Sequence, residues 1–285
     1  MHGIEKTLSI RPQKGAIWVV HGDTLSTVIG ALWSRKAEGL LAHVEAGLRS
    51  TSLFRPFPEE LNRRFVSMVA KVHFYQDDKA GQNLRNAGVR GEILGSGGNT
   101  LYDALDLLGE DGDDDGLPGQ PYVVANIHRF ENLNDKRRWD IIVETLCLAA
   151  VGQPIYLVLH PPTEEKLKNN PEMRQKLEKA GVILSPRMPF SKFIRVIHNA
   201  RYVISDGGSN QEECAYLGKP CLILRMESER EEGLDASCYL TEFDEVRIAA
   251  FLENPETYLR EKTVFEKSPS GIIMDFLMEK KYRDD

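Results

Sequence analysis

Three acidic positions in this chain need a reason. Asp23 follows the apolar run Ala16–Val20 in "VVHGDTLSTVIGA". Glu45 follows a second such run in "AHVEAGLRS", and Glu59 and Glu60 open a helical pattern behind Pro58 in "FRPFPEELNRR". Runs that are apolar on both faces suit strands of a parallel sheet covered on both sides. Ligands of such sheets bind beyond the carboxyl ends of the strands. A carboxylate trio there suits proton transfer or the stabilisation of a cationic transition state. Each residue also has a plainer reading. Asp23 can cap the helix that follows, and Glu59 suits the positive first turn of a helix by charge alone.

The second half of the chain offers different chemistry. "ANIHRFEN" puts His128 and Arg129 at the end of one strand-like run, and "LVLHPP" puts His160 at the end of the next. In "VISDGGSNQEECAYLGKP", Asp206, Gly207, Gly208 and Ser209 form a small-residue turn into a helix beginning near Asn210. Exposed N–H groups at such a start bind phosphate, although Gly-Gly can also be only a tight turn. Gln211, Glu212 and Glu213 follow, and a carboxylate there can accept ribose hydroxyls. The residues together suggest an enzyme acting on a nucleotide-linked small molecule, with phosphate and ribose contacts on one wall of a cleft and carboxylates on the other.

The elements that must position these groups alternate regularly. Strand-like runs at Ala16–Val20, Gly39–Val44, Val72–Tyr75 and Glu92–Leu94 are separated by helical stretches at Thr24–Lys36, Pro58–Met68 and Asp77–Ala87. That βαβα rhythm predicts a parallel sheet. Residues 109–120, "GEDGDDDGLPGQ", can bury almost nothing and read as a linker. The rhythm restarts with Pro121–Ala125, Ile155–Leu159, Val182–Leu184, Tyr202–Ser205 and Cys221–Leu224. The expected organisation is α/β: a first Rossmann-like domain over 1–108, a second over 121–267, and a C-terminal helix within 268–285.

Composition bounds the partners. The 285 residues are 41% hydrophobic and 28% charged, with net charge −7 and no long basic run. That pattern points away from nucleic acid and from an anionic membrane surface. No apolar run approaches the roughly 18 residues of a membrane span. Cys147, Cys214, Cys221 and Cys238 form no CxxC pair and have no histidine at zinc spacing, so they read as reduced and mostly buried. A cytoplasmic location fits this usage.

The motifs "HGDT", "HVEAGLR", "PFPEELNRR", "HRFEN", "SDGGSNQEE" and "LGKP" occur in this order. In that order and spacing the chain resembles the non-hydrolysing UDP-N-acetylglucosamine 2-epimerases, which have a two-domain GT-B-like fold. The resemblance implies catalytic roles for Asp23, Glu45, Glu59 and His128. It places Arg129 and His160 near the diphosphate, Gly207, Gly208 and Ser209 in the phosphate-binding turn, and Glu213 on the ribose. Phe193 aligns with a position whose backbone contacts uracil. The implied reaction expels UDP from C1 as the C2 proton is lost, then readds it to the other face of a 2-acetamidoglucal. It needs no metal and no nicotinamide, takes a UDP-sugar, and is implied to run in a homodimer.

Three departures stand out. The family's usual Ser-Gly-Gly turn is Gly207-Gly208-Ser209 here, and Phe130 replaces the second arginine of the histidine motif. Both leave the exact UDP-2-acetamido sugar open. Nothing before Ala16 matches the family's opening Gly-Thr-Arg-Pro-Glu motif, so the chain is expected to lack the first part of the N-terminal domain. Hydrolysis to free N-acetylmannosamine, glycosyl transfer, and UDP-sugar binding without catalysis are the alternatives.

Overall fold

A computed structural model describes residues 14–50, 57–108 and 119–283, with side chains to 280. The stretch before residue 14 and most of the expected linker lie outside the described residues. The strands are β1 Ile17–His21, β2 Leu40–Val44, β3 Val72–Tyr75, β4 Glu92–Gly95, β5 Val123–Asn126, β6 Ile155–Leu159, β7 Val182–Pro186, β8 Tyr202–Ser205, β9 Cys221–Ile223 and β10 Cys238–Leu240. The helices are α1 Leu25–Lys36, α2 Glu59–Val69, α3 Asp78–Asn86, α4 Leu101–Leu108, α5 Phe130–Asn134, α6 Lys136–Ala149, α7 Pro161–Lys168, α8 Pro171–Lys179, α9 Phe190–Asn199, α10 Gly208–Leu217, α11 Glu245–Glu253 and α12 Pro269–Arg283. The chain divides into two compact units, Met1–Asp103 with Phe265–Asp285, and Ala104–Val264.

The first unit holds a parallel sheet in the order β1-β2-β3-β4. Alternation along the strands sends side chains to two covered faces. Val20 and Leu41 meet Ala31 of α1 and Val66 of α2 on one face. Ala42, Val44, Val72 and Phe74 meet Ile273 and Leu277 of α12 on the other. The C-terminal helix thus completes the core of the first unit. Its Phe276 sets an edge on Phe74, with ring centroids 5.7 Å apart.

The second unit holds a parallel sheet in the order β10-β9-β8-β5-β6-β7. From β5 the chain winds one way through β6 and β7, then returns to β8 and winds the other way. The strand direction of travel therefore reverses between β5 and β8, and a crevice opens beyond their carboxyl ends. β5, β8 and β9 are buried along their whole length. The expected strands are all present, shifted by a residue or two at their ends. β10 was not among them, because three residues inside a loop-rich stretch carry too little periodicity to read. Cys214, Cys221 and Cys238 are buried free thiols in this core, and Cys147 is partly exposed.

Helix ends follow local chemistry. Asp77 accepts the Ala80 N–H at 2.7 Å and caps α3. Gly218 ends α10 at φ 66°, where a Cβ would run into the Arg260 carbonyl. This gives "LGKP" its glycine. No helix among the described residues is long and apolar enough to cross a membrane.

Because α12 supplies half of one core face, truncating Leu277 should unseat it. Leu277→Ala is expected to cost the first unit about 2–5 kcal/mol, the scale of a buried leucine deletion. Urea unfolding checks this; a loss below about 1 kcal/mol would mean the helix is not part of that core.

Candidate functional site

Parallel strands bring Asp23 and Glu45 to the same edge of the first sheet. Asp23 does not cap α1: the capping position is Thr24, whose side chain makes no capping bond. Instead Arg63 of α2 donates through Nε to Asp23 Oδ2 at 2.8 Å, with Nη2 2.7 Å from the same oxygen. Asn62 donates to the Asp23 carbonyl at 2.8 Å. Both Arg63 contacts fall on Oδ2. Glu45 sits in the left-handed region at φ 62°, uncommon for a side chain of this kind. Its Oε1 is 3.5 Å from Asn99 Nδ2, and its Oε2 is 3.8 Å from His21 Nδ1. A Cβ on Gly22 would lie 3.0 Å from Glu45 Oε2, so the two turns are in close approach.

The two glutamates that open α2 are separated in role. Glu60 is wholly buried and committed to structure. It takes the Ser50 N–H at 3.1 Å and Arg64 Nε at 2.8 Å. Glu59 Oε2 is buried with no hydrogen-bond partner among the described residues. A buried acceptor left empty is costly, so Glu59 is the glutamate of the pair that has something left to do.

At the crevice of the second sheet the organising group is Asp206, which follows β8 and is fully buried. Its two oxygens accept the main-chain N–H of His128 and of Arg129, both at 3.0 Å, and Oδ2 also accepts Asn132 Nδ2 at 3.0 Å. The carboxylate thereby ties the end of β5 to the end of β8. His128 stacks on His160, the residue after β6, with ring centroids 4.6 Å apart. Burial pushes the His128 pKa down against the pull of Asp206, and Arg129 and Arg187 add to the fall. Burial, then His128 and Arg187, push His160 down to about 4. Both rings are therefore neutral near pH 7. A neutral imidazole can donate one hydrogen bond and accept one, or take up a proton, and the fixed cations beside it are the arginines.

The small-residue turn begins α10 at Gly208, two residues earlier than expected, with Gly207 as its cap. Each glycine makes room. A Cβ at Gly207 would lie 2.9 Å from His128 Cε1, and one at Gly208 would lie 2.7 Å from Arg230 Nε. Arg230 pairs with Glu212, and Gln211 Nε2 donates to the carbonyls of Arg230 and Glu232 at 3.1 and 3.0 Å. The loop after β9 is thus held over the start of α10. Arg129 joins the same loop through Glu229, 3.3 Å away, which Arg225 also holds at 2.6 Å. Opposed by burial, those two arginines bring Glu229 down to about 2. Ser209 is exposed. Glu213 is buried, accepts Asn210 Nδ2 at 2.6 Å, and is pushed by burial up to about 7. Phe193 lies on α9, partly buried against the core, with its N–H taken by the Pro189 carbonyl at 2.9 Å.

These geometries have relatives. A family profile described as UDP-N-acetylglucosamine 2-epimerase matches residues 2–266. The chain belongs to this family. The UDP-N-acetylglucosamine 2-epimerase of Campylobacter jejuni is 30% identical over 237 residues, covering 78% of this chain and 62% of the relative. That of Bacillus subtilis is 32% identical over 240 residues, covering 78% and 59%. The Methanocaldococcus jannaschii enzyme, solved with UDP-GlcNAc and UDP, superposes with a TM-score of 0.78 at 28% identity, covering 98% of this chain and 79% of that one. The chain spans about three-fifths of the length of the curated relatives it matches first. The epimerase resemblance carried by the six motifs is borne out, as is the α/β, GT-B-like fold of two parallel sheets.

Sequence reasoning passed over Arg63, Asn99, Arg187, Asp206 as a tie, and the Arg225–Glu229–Arg230 loop. Arg63 stood inside a quoted motif, four residues after Glu59 and hence on the same face of a helix. The others had no local signal, since their partners lie far off in sequence.

The raised value of Glu213 sets a pH dependence. Between the ordinary 4.5 and about 7 the folded chain keeps a proton that the unfolded chain has released. Stability must therefore fall as pH rises across that window. Glu213→Gln, which stays neutral, is expected to flatten the slope. Urea midpoints at pH 5 and pH 7.5 for both proteins check it, and an equal slope in the variant would contradict the assignment.

Proposed function

We propose that this chain epimerises a UDP-2-acetamido sugar at C2, interconverting UDP-N-acetylglucosamine and UDP-N-acetylmannosamine. The observation that carries the reading is the carboxylate edge of the first sheet. Three acidic residues stand along it, after β1, after β2 and at the start of α2: Asp23 holds Arg63 through Oδ2, Glu45 sits in the left-handed region, and Glu59 has a buried Oε2 with no hydrogen bond among the described residues. Family membership, and the UDP-GlcNAc and UDP in the Methanocaldococcus jannaschii structure, support the substrate class.

The chemistry accounts for the residue types. The C2–H of the sugar is not acidic, so breaking C1–O leads and builds oxocarbenium character, which carboxylates stabilise. One carboxylate takes the C2 proton, giving 2-acetamidoglucal and UDP, and another delivers a proton to the opposite face as UDP returns to C1. The N–H groups at the start of α10 take the diphosphate, with Arg129 and His160 nearby and the Gly207–Ser209 turn giving close access. Glu213 takes the ribose, His128 serves the departing UDP, and the Phe193 segment serves the uracil. The step requires no metal and no nicotinamide.

We place the protein in the cytoplasm as a homodimer. Leu25 and Leu32 on α1 and Leu61 and Met68 on α2 are 67%, 38%, 40% and 71% exposed, and exposed apolar side chains of this kind suit the pairing of copies. Sedimentation of the purified chain tests the dimer.

NMR of the products in deuterated water tests the reaction. Deuterium at C2 with UDP retained is the expected result. Free N-acetylmannosamine means a hydrolase, and no exchange means a transferase or a binder. Asp23→Asn, Glu45→Gln and Glu59→Gln are each expected to slow exchange about 100-fold or more, the scale of a lost acid or base. UDP affinity, measured by calorimetry, should move far less. Near-normal turnover in all three variants would sink the assignment.

A further inference from the structure

The buried histidine His43 takes no part in the reaction as outlined. It lies on β2, opposite Val20 of β1 and His73 of β3, and is 1% exposed. Its Nε2 is 2.8 Å from the carbonyl oxygen of Gly22, which can only accept, so Nε2 carries the proton. Its Nδ1 is buried with no hydrogen-bond partner. Burial brings the ring down to about 4, so it is neutral at any working pH. It has no route to a substrate and no proton to lend.

What it holds is the turn that carries Asp23. Gly22 has φ 69°, and its carbonyl faces the buried His43 ring. An inward carbonyl needs a donor or pays the cost of a lost hydrogen bond. Gly22 N–H bonds the Val44 carbonyl at 3.0 Å, and Thr27 Oγ1 donates to the His21 carbonyl at 2.7 Å. His43 closes the remaining gap. Two residues beyond it, just past the end of the strand, stands Glu45, also left-handed, with Oε2 3.0 Å from where a Gly22 Cβ would be. The imidazole therefore holds the first of two backbone outliers, Gly22, which itself lies in close approach to the second, Glu45. A leucine would fill this core position but leave the Gly22 carbonyl without its donor, so what the imidazole adds over an apolar side chain is that one bond.

We propose that His43 is a positioning residue, whose Nε2–H holds the Gly22–Asp23 turn in register with Glu45. This rests on the epimerase reading for its kinetic consequence and on geometry for its structural one. The test uses the full chain with His43→Leu, which removes the donor, His43→Asn, whose shorter amide cannot reach Gly22, and His43→Gln, whose amide can. Per folded molecule, the Leu and Asn variants are expected to lose about 10- to 100-fold in kcat for C2–H exchange, the penalty of a displaced catalytic group. KM for UDP-N-acetylglucosamine should stay within about threefold, and the Gln variant should recover most of kcat. Amide hydrogen exchange at Gly22 should speed up in Leu and Asn and not in Gln.

A merely structural role would lower the melting temperature without splitting kcat from KM, and would not rank Gln above Asn. Equal kcat for Gln and Asn, or unchanged Gly22 exchange in Asn, overturns the proposal. If His43→Leu does not fold, the Gln–Asn pair decides alone. A wild-type chain inert towards UDP-N-acetylglucosamine would overturn the epimerase reading instead, and Gly22 exchange would still decide the role of His43.

Discussion

Parallel pairing is the constraint from which the rest follows. Every strand in both sheets runs the same way as its neighbours. The residue after each strand therefore arrives at one common edge, and the connection must travel back along a face as a helix. Asp23 and Glu45 in one unit, and His128, His160 and Asp206 in the other, are the residues that such an edge collects. The helices that return the chain begin at that edge too, which is why Glu59 and the Gly207–Gly208 turn join them.

Holding charge at such an edge without losing it to neighbouring cations sets the second level of organisation. Glu60 is consumed by Arg64 and Ser50, and Glu229 by Arg225 and Arg129; these carboxylates are structural. Asp23 is half-consumed, with one oxygen in the fork of Arg63. Glu59 keeps an Oε2 with no hydrogen-bond partner among the described residues. The gradation matters because a fully paired carboxylate can neither take a proton nor face a developing cation without breaking its bonds. Asp206 shows the other use of a buried charge. It satisfies two main-chain donors on a neighbouring strand end and so fixes where the His128 ring stands.

Backbone outliers mark the same places. Gly22 and Glu45 are both left-handed, at the ends of two paired strands. A glutamate there bears a strain of order 1–3 kcal/mol, which the flanking bonds must offset. His43 donates to the Gly22 carbonyl and Asn99 Nδ2 lies 3.5 Å from Glu45 Oε1, and neither carries a charge of its own.

Much of this was legible in the sequence. Two-sided apolar runs at β1 to β9 give the sheets, and short linkers with helical spacing give the parallel winding. Asp23, Glu45, Glu59, His128 and His160 could be placed at strand or helix ends because end position is a local property. Residue pattern alone left Asp23 open between capping and chemistry and did not separate Glu59 from Glu60; it was the family resemblance that picked out Asp23 and Glu59. Those questions turn on Arg63, forty residues from Asp23 in the chain, and on which oxygen of which glutamate meets a donor. Nor could the sequence see that Asp206 binds the main chain seventy-eight residues before it, that α12 closes the first core, or that His43 reaches Gly22. Propensity and periodicity act over a few residues and determine which elements form. Hydrogen bonds and burial between distant segments exist only once the chain has packed, and they decide which of the charged groups at the edge remain free to react.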